Sequence, residues 1–150
     1  MSIAEKIIDE EKRARLKQEI ELAEKLTTGE IRVFLEDHCE VDILDHTAFL
    51  FDQLKMQNTK QRNGVLIYMS LQDHRFTIIG DAGINAKVSE SYWQEIKDMM
   101  TPFFIADQFE DGITFAIREV AKILKQNFPY SADDVNELSD KIMFGKSKDD

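Results

Sequence analysis

Glu30-Ile-Arg-Val-Phe-Leu-Glu36 alternates polar and apolar residues, the period of a half-buried strand. Gly64-Val-Leu-Ile-Tyr-Met-Ser70 is almost unbroken apolar sequence, as expected of a central strand covered on both faces. Turn-like Leu71-Gln-Asp-His74 leads into Arg75-Phe-Thr-Ile-Ile-Gly80, so the last two runs read as a hairpin. Around them the period lengthens. Ser2 followed by Glu5 is a capping box, and Ile7, Ile8, Leu16, Ile20, Ala23 and Leu26 recur at helical spacing, predicting one helix over about 3–27 with Gly29 just past its end. Leu44, Thr47, Ala48, Phe51 and Leu54 mark a second helix, and the polar residues 56–63 a loop. Ser89 or Ser91 can cap a third helix running through Met99 and ended near Pro102. Asp107 with Glu110 reads as a capping box for a fourth, with Ile113, Ile117, Val120, Ala121 and Leu124 on one stripe. After Pro129, Ser131 with Asp134 offers a start for a short last helix to about Phe144, and residues 145–150 read as a flexible polar tail.

Strand–helix–strand implies a parallel pair joined by a crossover, and the hairpin adds a third, antiparallel strand. A small mixed sheet with helices on both faces covers it most simply, and residues 1–144 read as a single domain. Strands one and two run the same way and strand three returns, so Glu30, Arg62, Asn63 and Asp81 are expected at one end of the sheet. Glu36, Asp37, His38, Asp73 and Arg75 are expected at the other.

Composition changes this picture in a few respects. The 150 residues carry 19 basic and 29 acidic side chains, a formal net charge of −10. That balance argues against nucleic acid and against an anionic membrane face, and favours divalent cations or a basic protein as partner. The one cysteine, Cys39, excludes an intrachain disulfide. The first residues do not read as a signal peptide and no apolar run is long enough to span a bilayer, so the expected location is cytoplasmic.

Several chemistries fail on spacing. No P-loop, serine-nucleophile elbow, cysteine-phosphatase loop or Asp-x-Asp-x-Thr motif occurs, and Gly80-Asp-Ala-Gly83 lacks the third glycine of a dinucleotide loop. His38, Cys39 and His46 fit no compact zinc finger, and Asp134-x-Asn136 fails as an EF-hand. Asp81 is either a turn residue capping local backbone amides or a carboxylate ligand for a hard cation with Glu30 as its neighbour. Arg62 and Arg32 are expected to neutralise that cluster through ion pairs.

Three segments, Thr27-Thr-Gly-Glu-Ile-Arg-Val33, Thr59-Lys-Gln-Arg-Asn-Gly-Val-Leu-Ile-Tyr68 and Phe76-Thr-Ile-Ile-Gly-Asp-Ala-Gly-Ile84, together resemble the TPM domain family. Phe109-x-x-Gly112 and Phe128-Pro-Tyr-x4-Asp134-Val-Asn-Glu-Leu138 resemble its soluble bacterial branch. The resemblance implies a three-layer α/β/α sandwich. Relatives differ in role: a plant thylakoid-lumen member acts in photosystem II repair and is described as an acid phosphatase with calcium bound in the domain, while an animal member modulates a receptor channel. Carried over by motif, the polar cleft comprises Asn63 and Asp81, joined by Asp107 ahead of Phe109-x-x-Gly112. Glu30 and Arg62 flank it, and Asp134 and Glu137 would close it. The resulting expectation is a divalent cation, Ca2+ before Mg2+, held by Asp81, Asp107, Asn63 and Glu30 in a non-catalytic binding or adaptor module. A metal-assisted phosphatase and a metal-independent interaction module are the alternatives.

Overall fold

The computed structural model describes residues 1–132 and 142–145. The helices are α1 (Ile3–Ile7), α2 (Glu10–Glu24), α3 (Ile43–Gln53), α4 (Ala82–Asn85), α5 (Tyr92–Ile105) and α6 (Phe109–Asn127). The strands are β1 (Glu30–Glu36), β2 (Gly64–Ser70), β3 (Arg75–Gly80) and β4 (Ile142–Phe144). They form one mixed sheet in the order β3-β2-β1-β4. β1 and β2 pair in parallel from Glu30↔Gly64 to Glu36↔Ser70, and β3 returns antiparallel with Val65 opposite Gly80.

Alternation along the strands sorts two cores. Ile31, Val33, Leu35, Val65, Ile67, Met69 and Ile78 face α2, α5 and α6, which contribute Leu16, Ile20, Ile96, Met100, Phe104 and the α6 stripe Ile113, Ile117, Val120 and Leu124. Phe34, Leu66 and Tyr68 face the other way and pack with Leu50, Phe51 and Met56 from α3 and the loop after it. The result is a three-layer α/β/α sandwich, one face covered by several helices and the other by α3. Among the described residues no helix is long and apolar enough to cross a membrane.

Three elements differ from the sequence pattern. The single helix expected over 3–27 is two. The Ser2–Glu5 capping box opens α1, but the chain leaves helical geometry at Ile8, which is fully buried, and Asp9 restarts it by accepting from Lys12 N at 3.0 Å. Helix α5 continues through Pro102 instead of ending before it. The proline costs one N–H in the last turn, the freed carbonyl belongs to exposed Asp98, and the stripe Ile96–Met100–Phe104 gains its last buried member. Ser91 stands at the N-cap of α5 but makes no side-chain cap bond.

The third difference is β4. A helix was expected to reach about Phe144, yet Ile142–Phe144 pairs in parallel with Val33–Leu35, putting Ile142 and Phe144 on the main core. Gly145, expected to begin the tail, donates its N–H to Leu35 O at 2.9 Å. Further along the same edge of β1, Ile31 N–H donates to Glu24 Oε2 at 3.2 Å, so a side chain covers what β4 leaves open.

Helices α2 and α6 are also joined on their outer sides by two forked ion pairs, Arg15 with Glu110 and Arg118 with Glu19. Hydrogen bonds from Arg118 and Arg15 hold the Glu19 and Glu110 carboxyls below the ordinary carboxylate range. A carboxyl depressed in the folded state stabilises the protein above its unfolded pKa, and that gain is lost as pH falls through the folded value. Both pairs face solvent, so each is weak. Arg118→Ala should therefore lower stability only slightly at pH 7. Urea unfolding should show the gap from the native protein closing as pH drops below the carboxylate range; a gap independent of pH would contradict this.

Candidate functional site

The entry to β2 and the exit of β3 meet at the end of the sheet expected to hold Glu30, Arg62, Asn63 and Asp81. Asp81 N–H donates to Gly64 O at 2.9 Å, closing the strand ladder. Its carboxylate then turns onto the chain ahead, with Oδ1 accepting from Ala82 N at 2.8 Å as the N-cap of α4. Arg62 forks over the same carboxylate, Nε to Oδ2 at 2.6 Å and Nη2 to Oδ1 at 2.8 Å. Asp81 is 6% exposed, whereas the Arg62 side chain is half exposed. Hydrogen bonding to Asp81, with its negative charge, raises the Arg62 guanidinium above its usual pKa. Thus Asp81 does what its bland reading required, capping local amides, and Arg62 pairs with it as expected.

The backbone of Arg62 is as involved as its side chain. With φ 51°, it turns its carbonyl to accept from Gly83 N at 2.7 Å and Ile84 N at 3.3 Å. The approach is so close that a Cβ on Gly83 would lie 1.9 Å from Gln61 O. Glycine at 83 is therefore a packing requirement of the join between the two strands.

Asn63, 1% exposed, lies beside this joint. Its Nδ2 donates to Thr28 Oγ1 at 3.2 Å and Gln61 Oε1 at 3.3 Å, which fixes the amide orientation. Its Oδ1 is buried and has no hydrogen-bond partner. Glu30, also buried, opens β1 and donates its N–H to Asn63 O at 3.5 Å. Arg32 is buried one strand pair further along, on the α3 face.

An open depression of about 350 Å3 adjoins the Arg62–Asp81 pair on the α3 side. Ala48, Phe51 and Asp52 of α3, Gln57 of the following loop, and Ile79 and Gly80 of β3 line it with Arg62 and Asp81. The sequence pattern did not single out Asp52 or Gln57. The first reads as one more polar position on an amphipathic helix, the second as loop.

Asp107 was expected with Asp81 and is instead at the other end of the sheet. It pairs with His74, in the β2–β3 turn, at 2.7 Å; both residues have positive φ, and Asp107 is largely exposed. His74 and Asp81 flank the six-residue β3, seven residue steps apart, or about 23 Å of extended chain. Nor does Asp107 cap α6: the N-cap is Gln108, without a side-chain bond, and Glu110 is engaged by Arg15. Asp107 was carried to the cleft by motif resemblance, and a motif does not say which end of the sheet the α5–α6 turn reaches. Asp134 and Glu137 lie outside the described residues.

The same far end holds a second polar group. Asp73 accepts from Cys39 N at 2.7 Å and lies 2.9 Å from His38 Nδ1, and the bond to His38 leads the causes that lower its pKa. Asp37 accepts from Ile3 and Ala4 N–H, fixing the start of α1. Tyr68, fully buried within β2, donates to Glu36 Oε1 at 2.9 Å, and the same oxygen meets His46 Nε2 at 2.5 Å. Burial, then the Glu36 charge and hydrogen bond, push the Tyr68 phenol far above its ordinary range. His38 and the Cys39 N–H thus share Asp73, the Cys39 thiol turns to Val41 O at 3.4 Å, and His46 meets Glu36.

The donors at the Asp81 end are all oxygens, which suits a hard cation rather than a transition metal. Among the described residues no group of three or more His, Cys, Asp or Glu could hold a metal ion. A cation there would rest on one or two carboxylates, the Asn63 carbonyl and water.

The model of the TPM domain matches residues 2–123. In a solved NMR structure, the BA42 protein of the psychrophilic bacterium Bizionia argentinensis is 39% identical, with TM-score 0.84 over 91% of this chain and 94% of that one. The N-terminal domain of a protein from P. gingivalis, 17% identical with TM-score 0.70 over 81% of this chain and 79% of that one, shares the fold. So does the N-terminal domain of the cg2496 protein from Corynebacterium glutamicum, 13% identical with TM-score 0.54 over 89% and 80%. No curated protein matches the chain.

Two substitutions probe the two ends. Gly83→Ala should destabilise by about 2–3 kcal/mol, because the clashing atom belongs to backbone and cannot rotate away. Tyr68→Phe should cost about 1–2 kcal/mol through the lost bond to Glu36. Urea midpoints check both, and an unchanged midpoint for either variant would contradict the geometry at that end.

Proposed function

The chain belongs to the TPM domain family, and from that premise we propose that it is a divalent-cation-binding module, non-catalytic, that takes calcium in preference to magnesium at the Asn63–Asp81 end of its sheet. The observation that carries this reading is the buried Asn63 Oδ1, an acceptor without a donor, beside the buried Asp81 carboxylate. An unpaired buried carbonyl costs stability that a cation or a cation-bound water would recover. Calcium accepts irregular sets of neutral and charged oxygens, whereas magnesium demands near-octahedral geometry. Arg62 is the competitor: it already neutralises Asp81, so a cation must displace an exposed guanidinium and affinity should be low.

A metal-assisted phosphatase would use the same carboxylates. The three histidines, however, all face carboxylates: His38 with Asp73, His46 with Glu36 and His74 with Asp107. No serine, threonine or cysteine is paired with a histidine base among the described residues, and the binding reading is better supported. The acidic balance also suits a basic protein as partner, bound with or without metal.

Calcium titration followed by amide shifts tests the proposal. Shifts at residues 62–64 and 81–83 should saturate in the range of about 0.1–1 mM, the affinity of weak oxygen sites. Asp81→Asn should abolish the response, while Arg62→Gln should tighten binding by removing the competing charge. Amides that stay still at about 10 mM calcium, well above that range, in both the native chain and Arg62→Gln would overturn it.

A further inference from the structure

The depression between α3 and β3 has a lining that a metal ion would not use. Ala48, Phe51 and Ile79 give it apolar walls, and Gly80 contributes no side chain. Its polar groups are mostly acceptors. Asp52 is exposed; its Oδ1 accepts from Gln57 Nε2 at 3.2 Å, and its Oδ2 has no hydrogen bond among the described residues. That bond fixes the Gln57 amide, turning Oε1 away, and Oε1 is buried with no partner. The one cationic donor in the wall, Arg62, has two of its N–H groups on Asp81.

We propose that this depression receives the cationic side chain, a lysine or arginine, of a basic partner protein. The apolar walls suit the methylene stem of such a side chain, and the exposed Asp52 carboxylate, held by Gln57 Nε2 through Oδ1, offers Oδ2 to its charged head. An anion fits poorly, since the lining carries two acids against one already paired base. A bare divalent cation would leave the walls without a role. The net charge of −10 favours the approach of a basic partner over long range and adds selectivity against acidic ones. This site goes beyond cation binding at Asp81, because it turns on Asp52 and Gln57.

The test uses the full chain in EDTA, titrated with Nα-acetyl-lysine N-methylamide and, in parallel, with the norleucine analogue and with inorganic phosphate. The lysine probe should move the amides of Ala48, Phe51, Asp52, Gln57 and Ile79 saturably in the millimolar range. The norleucine analogue, which keeps the stem and lacks the charge, should bind about tenfold more weakly, the effect of losing roughly one charge-assisted hydrogen bond. Asp52→Asn should weaken the lysine probe by about fivefold. Ala48→Leu, at an exposed position over the mouth, should block it while leaving the rest of the spectrum folded. Equal response to lysine and norleucine, shifts that ignore both substitutions, or a response to phosphate at the same amides would each overturn the proposal. Because EDTA removes divalent ions, the outcome is independent of whether calcium binds at Asp81.

Discussion

Arg62 holds together the part of the molecule where the functional readings converge. Its left-handed backbone places one carbonyl in reach of two N–H groups from α4, and its side chain forks over the Asp81 carboxylate that caps the same helix. One residue thus ties the entry of β2 to the exit of β3 twice, through main chain and through charge. The strain of a positive φ at a non-glycine residue is offset by those bonds. Gly83 is the matching constraint, because any side chain there would hit the Gln61 carbonyl. The depression, the buried Asn63 amide and the cap of α4 all take their positions from this joint.

The joint also decides what Asp81 can do. A carboxylate that is buried and forked by arginine is satisfied within the chain, so it is not a vacant ligand awaiting a cation. The proposed cation binding there would be an exchange between an internal guanidinium and an external ion. Exchange of that kind would make affinity depend on Arg62 as much as on the acids, since both forms neutralise the same charge. It also separates Asp81 from Asp107, whose histidine partner and exposure mark it as a surface staple between the β2–β3 turn and the α5–α6 turn.

How far the sequence could be read depended on whether a feature was local. Strands β1, β2 and β3 were legible to their end residues because alternation, apolar runs and glycines at 64 and 80 bound them without reference to anything distant. The gathering of Glu30, Arg62, Asn63 and Asp81 followed from strand direction alone. The break at Ile8–Asp9 was hidden because an aspartate inside an amphipathic stretch looks like a solvated helix position as readily as a cap. Strand β4 was hidden more deeply: Ile142-Met-Phe144 has no period of its own, and it is a strand because the edge of β1 is there to pair with. Asp107 was placed by motif, and only packing of α5 against the sheet says which end its exit reaches. Asp52 and Gln57 carry no local mark at all; their significance lies in what β3 brings opposite them.

The acidity of the chain finally resolves into distinct kinds of work. Asp9 caps α2, Asp42 caps α3, Asp81 caps α4, and Asp37 accepts from the first amides of α1. Glu19, Glu110 and Glu36 are engaged by arginine, histidine or tyrosine. A carboxylate at a helix start is stabilised by the dipole and by the amides it accepts from, so these acids contribute to net charge while serving the fold. Net charge therefore measures attraction at long range, while specificity at short range belongs to the acids left with unsatisfied oxygens. Within the depression that acid is Asp52, set over apolar walls and beside a buried acceptor with no donor. The long-range and short-range arguments point to the same kind of partner, one that arrives on positive charge and is retained by the stem that carries it.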